Sequence, residues 1–278
     1  MTTTLMSPET ERTTTEPRDW RGSGTATQLL VLTGRSLRAL INEPRLVVLS
    51  LLQPLIMLVL FSQVFSSIAQ TDSFPPGVSY INYLMPAILV TTGIGAAMQS
   101  GIGLVTDMKN GMLGRFRSLP IKSWSVLLAR SLADLVRTSV QLTILLVTAV
   151  VLFGFSPSGG IGGVLTALAL ALMVSWALSW VFLAIGSWLR NAESMQQVGF
   201  LAMFPLMFAS SAYVPLDGLP VWLRAVATVN PLTYAVDASR NLALAMPVGT
   251  GVLSAVAASA ALLAVGAFAA VRGFRKPL

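Results

Sequence analysis

Cysteine and histidine are both absent from this 278-residue chain, and charged residues make up only 10% of it. Without cysteine there is no disulfide framework and no thiolate metal site. Without histidine the commonest general base and the commonest metal ligand are gone as well. The acids are isolated, so no catalytic cluster is expected, and no metal or cofactor has a place in the chain. The only lysines are Lys109, Lys122 and Lys276, and none follows a glycine. No GxxxxGKS/T phosphate loop can be drawn, which excludes ATP binding by that route.

What is abundant is apolar: 54% of the residues are hydrophobic, where a soluble domain has about a quarter of its residues charged. The chain is expected to be an all-α integral membrane protein. A net charge of +7 would suggest nucleic acid in a soluble protein. Here the basic residues flank apolar runs, as membrane orientation requires, and no nucleic-acid partner is expected.

Five windows are free of charge: 46–71, 73–106, 138–189, 194–216 and 241–271. Roughly 20 apolar residues cross the hydrocarbon core, so the long third window must hold two spans. The run Ser156-Pro-Ser-Gly-Gly-Ile-Gly-Gly163 supplies the turn between them. Six spans follow, near 46–68, 82–105, 134–155, 162–188, 194–214 and 247–271. Sixteen of the 18 basic residues fall on one side of this arrangement, leaving Arg224 and Arg240 on the other. The positive-inside rule then makes both termini cytoplasmic.

Residues 1–24 are polar, with too few apolar side chains to offset ordering, and are expected to be a disordered cytoplasmic tail. Residues 25–42 alternate leucines with Arg35 and Arg38 and read as an amphipathic helix on the membrane surface or against the protein's own loops. Between spans 5 and 6 an outer segment carries Trp222, Asn230, Pro231, Tyr234, Asp237 and Arg240. It is aromatic but too interrupted to span, which suggests short re-entrant helices, with a plain loop as the other reading. Asp237 and Arg240 are three apart and are expected to form a structural pair. So is Asp134, which stands between Arg130 and Arg137 at helical spacing.

Every expected span lacks an interior charge of the kind an ion-driven carrier uses. The one long polar break, 107–122, reads DMKNGMLGRFRSLPIK. As a helix it places Met108, Met112, Phe116 and Leu119 on one side and its basic residues elsewhere, and Pro120 ends it. A transporter's body without an energy source needs a partner, and this break is where a partner would grip.

The pattern of Asp107, Gly111, Arg115, Ser118, Leu119 and Pro120 resembles the cytoplasmic loop of type-2 ATP-binding-cassette (ABC) exporter permeases. Asn230 to Arg240, NPLTYAVDASR, resembles their second signature. The likeness runs from about residue 25 to the C-terminus and is greatest to the daunorubicin-resistance subgroup. It implies a permease domain over 25–278 that works as a dimer, identical or not, in the bacterial plasma membrane. ATP and Mg would be held by a separate ABC ATPase subunit, and a coupling helix between spans 2 and 3 would enter that ATPase. The expected cargo is a hydrophobic or amphipathic small molecule passing between subunits along spans 2 and 5. Thr91, Thr92 and Gln99 on span 2 are polar candidates for this path, and Phe200, Met203, Phe204, Met207 and Phe208 on span 5 are apolar ones. The span 5 stripe reads first as a lipid-facing or packing surface, since such stripes are ordinary in membranes, and second as part of a path. Gly93, Ala97 and Gly101, four apart, are expected to bring helices close together. A lipid or polysaccharide exporter remains as an alternative, as does an ATPase-independent channel.

Overall fold

The computed structural model describes residues 34, 44–65, 74–109 and 123–275. Eight helices run through them: α1 Pro44–Val64, α2 Tyr80–Lys109, α3 Ser123–Phe153, α4 Gly160–Leu189, α5 Ala192–Phe208, α6 Val221–Val229, α7 Pro231–Ala243 and α8 Gly251–Arg275. No strand occurs among the described residues. Four helices, α2, α3, α4 and α8, are long and apolar enough to cross a membrane, while the apolar stretch of α1, Val48–Val64, is shorter. The expected tail, the surface helix over 25–42 apart from Gly34, and residues 110–122 of the polar break lie outside the described residues.

Helix α4 is the central post, with α2 and α8 along it and α7 and α3 against its flanks. The small residues of α2 make the first of these contacts possible. Ser175 Oγ donates to the Gly93 carbonyl at 2.8 Å, and a Cβ on Gly101 would sit 2.6 Å from the Phe182 carbonyl oxygen. Ala97, between them, is buried. The four-residue spacing therefore does what it predicts, bringing two backbones within reach.

The Gly-rich turn also forms. α3 ends at Phe153, Gly154 takes φ 67° and α4 starts at Gly160. Asn82 of α2 clamps this turn, its Nδ2 donating to the Ser156 carbonyl at 3.0 Å and its Oδ1 accepting from Ser156 N at 2.9 Å. At the opposite end of the bundle Arg130 of α3 pairs with Asp107 of α2, and Arg190 Nη2 donates to the Gly273 carbonyl of α8 at 3.3 Å. Thus Arg130 and Arg190 gather at one end. Arg240, bonded to the Tyr83 carbonyl, lies at the other.

The two largest differences from the expected boundaries are in α3 and α5. α3 begins at Ser123 rather than near 134, because its charged residues lie along a cleft instead of ending the helix. α5 stops at Phe208 rather than near 214, with Pro205 in its last turn. Asn230 supplies the amide that the broken helix lacks, its Nδ2 reaching the carbonyls of Leu206 at 2.8 Å and Ala209 at 2.6 Å.

Candidate functional site

Along α3 the polar residues Arg130, Asp134, Arg137 and Gln141 recur every three or four positions and so share one helix face. That face borders a cleft of about 670 Å³ walled by α1, α2, α3 and α5. α1 contributes Ser50, Gln53, Pro54 and Met57, α2 contributes Ile88, Thr91, Thr92 and Gln99, and α5 contributes Phe200, Met203 and Met207. Tyr213, just beyond α5, is also in the wall.

The wall changes character along its length. Helices α2 and α3 run antiparallel with Asp107 against Arg130, so at 1.5 Å per residue Arg137 stands about 10 Å further in, near the level of Gln99. Gln141 lies one turn beyond, where its Nε2 donates to the Ser50 carbonyl of α1 at 3.1 Å. Past Thr91 and Thr92 the lining turns to Ile88, Met57, Met207 and Tyr213. One end of the cleft is therefore charged and amide-rich, and the other is aromatic and thioether-rich.

The charges are unequally matched. Arg130 pairs with Asp107 and also faces Asp134, with Nε to Oδ2 at 3.7 Å. Arg137 has no acid within 4 Å among the described residues, and its Nε is buried without a hydrogen-bond partner. The expected Asp134 pair thus forms on the Arg130 side alone.

Of the residues expected along a path, Thr91, Thr92, Gln99, Phe200, Met203 and Met207 meet in this cleft. Phe204 and Phe208 do not line it. Their rings stack on each other at 5.7 Å and Phe208 continues to Tyr213 at 5.6 Å, on a largely exposed face of α5. Arg137, Asp134 and Gln141 were not assigned to the path from sequence. The signal was the α3 stripe, which the charged residues alone left incomplete and Gln141 extends.

The outer segment folds as two helices, α6 and α7. Asn230 caps α7, accepting from Leu232 N at 2.9 Å, with Pro231 in the first turn. Arg240 is buried and bonds Asp237 at 2.8 Å, the Tyr83 carbonyl at 3.1 Å and the Ser211 carbonyl at 2.8 Å. Its guanidinium also stacks 3.6 Å above the Tyr83 ring. The pair with Asp237 is structural, tying α7 and the segment after α5 to α2. Trp222 is exposed, and Tyr234 donates its hydroxyl to the Thr228 carbonyl at 2.7 Å.

Within the polar break only Asp107, Met108 and Lys109 are described, as the last residues of α2. Met108 is buried with Leu104, Leu127, Trp180 and Phe274, so it closes the bundle rather than projecting from it. Gly111, Met112, Arg115, Phe116, Ser118, Leu119 and Pro120 lie outside the described residues. No cluster of three or more metal-ligating side chains occurs among the described residues.

Three relatives are informative. The daunorubicin resistance ABC transporter permease protein DrrB1 of Streptomyces coeruleorubidus is 29% identical over 208 residues, 75% of this chain and 72% of its own length. The putative transport permease ycf38 of Porphyra purpurea is 29% identical over 201 residues, covering 72% and 68%. The probable doxorubicin resistance ABC transporter permease protein DrrC of Mycobacterium tuberculosis is 24% identical over 249 residues, covering 90% and 88%. These relatives and the apolar helices make the chain a multi-pass membrane protein. Residues 27–244 match the family described as ABC-2 type transporter, and the chain belongs to that family.

Proposed function

We propose that the chain is the permease subunit of an ABC exporter that moves amphipathic, drug-like molecules outward with ATP hydrolysed by a separate subunit. The observation that carries this reading is the cleft, polar at one end and apolar at the other, inside a chain whose family match covers most of its length. The drug-resistance names of the Streptomyces and Mycobacterium relatives support the cargo class. In this reading all six apolar segments span, both termini face the cytoplasm of a bacterial cell, and two copies work with two ATPase subunits. Thr91, Thr92, Gln99, Phe200, Met203 and Met207 touch cargo, while Phe204 and Phe208 face lipid or the second copy. The loop from Gly111 to Pro120 docks on the ATPase, and α6 and α7 line the outer exit.

Energy enters only if the cleft contacts cargo differently in two states of the complex. Closure of the ATPase pair on ATP supplies the change, and rotation of the first three helices against the rest expels the cargo. The test is to purify the full chain with its ATPase, reconstitute the complex in liposomes and follow ATP-dependent movement of an amphipathic dye. Dye movement with stimulated ATP turnover is expected. A chain that brings down no nucleotide-hydrolysing subunit and leaks dye without ATP would be a channel instead.

A further inference from the structure

Among the described residues, the charged end of the cleft contains a cation without an acidic partner, Arg137. Three charged side chains line this end, Arg130, Asp134 and Arg137. Arg130 pairs with Asp107 and lies 3.7 Å from Asp134, a contact in which Arg130 Nε and Asp134 Oδ2 make no hydrogen bond, whereas Arg137 has no acid within 4 Å at all among the described residues, and its buried Nε has no hydrogen-bond partner there. A guanidinium inside an apolar span is costly, and such residues usually mark a ligand or ion pathway. Arg137 also has an amide neighbour suited to an oxyanion, since Gln99 lines the same cleft near its level.

We infer that Arg137 is a recognition site for the negatively charged group of an amphiphile, a carboxylate or phosphate whose apolar body lies toward Met57, Met207 and Tyr213. This deepens the export reading and takes its meaning from it, but the binding step stands without transport. A guanidinium offers two parallel donors to such an oxyanion, giving a charge-assisted pair stronger than a neutral hydrogen bond. A cationic ligand is disfavoured at the same place. It would have to reach Asp134 between two guanidiniums, one of them already 3.7 Å from that carboxylate. The neutral alternative, a structural arginine, gives Arg137 no acid to pair with among the described residues.

The experiment uses the full chain in phosphatidylcholine nanodiscs and three fluorescent probes of one length: dansylaminoundecanoic acid, its methyl ester and the matching trimethylammonium. Saturable, protein-dependent binding of the acid is expected to be tighter than that of the ester or the cation. R137Q should weaken the acid by about tenfold or more while leaving ester binding unchanged, which also reports that the variant is folded. R137K should retain most of the affinity, and D134N should tighten the acid by removing a nearby negative charge. Adding phosphatidylglycerol identifies the source: competition assigns the site to a lipid headgroup, and its absence assigns it to a soluble amphiphile, both with an anion at Arg137. Equal binding of acid and ester, or an unaltered acid affinity in R137Q, overturns the inference. Because no ATPase or transport is needed, a positive result alongside failed dye export would reject the exporter reading and leave the site standing.

Discussion

Pro54 has no N–H to return to the carbonyl of Ser50 one turn earlier, and Gln141 from another helix donates to that carbonyl at 3.1 Å. In hydrocarbon the carbonyl one turn before a proline gains from such a donor, and a neighbouring side chain is one of the few sources. The two residues should therefore be coupled. Gln141→Leu in the native background is expected to lower stability by about 1–2 kcal/mol. In a Pro54→Ala background the helix regains its own N–H, and the same substitution should cost less than about half as much. Thermal unfolding of the four proteins of this cycle measures the difference, and equal costs in both backgrounds would show that the bond carries no energy. Arg240 is the counterpart at the other end of the bundle. It gathers three carbonyls, one carboxylate and one ring from α2, α7 and the segment after α5, so the bend following Pro205 has a fixed shape.

At the scale of helices, the α2–α4 seam depends on which glycine faces it. A Cβ on Gly101 meets the Phe182 carbonyl at 2.6 Å and Met195 Cε at 2.5 Å, whereas a Cβ on Gly95, which lines the cleft, meets nothing within 4 Å. Gly101→Ala should lower stability by about 1–3 kcal/mol through overpacking. Gly95→Ala, on the same helix, should be neutral or stabilise by up to about 1 kcal/mol through helix propensity. Urea unfolding in detergent separates them, and similar losses at both positions would refute the seam. This seam was legible in the sequence because a spacing of four fixes which residues share a face. The Gly-rich turn and α7 were legible too, since local chemistry places them: glycine permits the turn, and Asn230 with Pro231 starts the helix. The cleft was legible only in part. Thr91, Thr92 and Gln99 could be nominated from one helix, but their meeting with α3 depends on how four helices pack. Charge-free windows place Arg130, Asp134 and Arg137 at the edge of a span, whereas in the fold those residues continue one wall of the cleft.

For the whole molecule, the question is how motion at the segment between α2 and α3 reaches the cleft. Both helices leaving that segment are anchored close to it. Asp107 near the end of α2 pairs with Arg130 of α3, and Met108 sits in a cluster with Leu127, Trp180 and Phe274, which joins α2 to α3, α4 and α8. Arg130 is at once part of this anchor and part of the cleft wall. A push on the segment would therefore move charged residues of the cleft directly. Two kinds of substitution should then separate. Truncating Phe116 and Leu119 together to alanine removes apolar side chains from the segment proposed to dock on the ATPase and changes none of the anchor residues Asp107, Met108, Leu127 and Arg130. It is expected to leave membrane insertion and melting temperature intact while cargo-stimulated ATP turnover falls to the basal rate. Met108→Ala opens space inside the bundle instead and should cost about 2–5 kcal/mol of stability, with stimulation retained in the folded fraction. Parallel measurement of melting and of stimulated hydrolysis in the reconstituted complex distinguishes grip from anchor. If the Phe116 and Leu119 variant keeps full stimulation, the segment is not where the ATPase holds this chain.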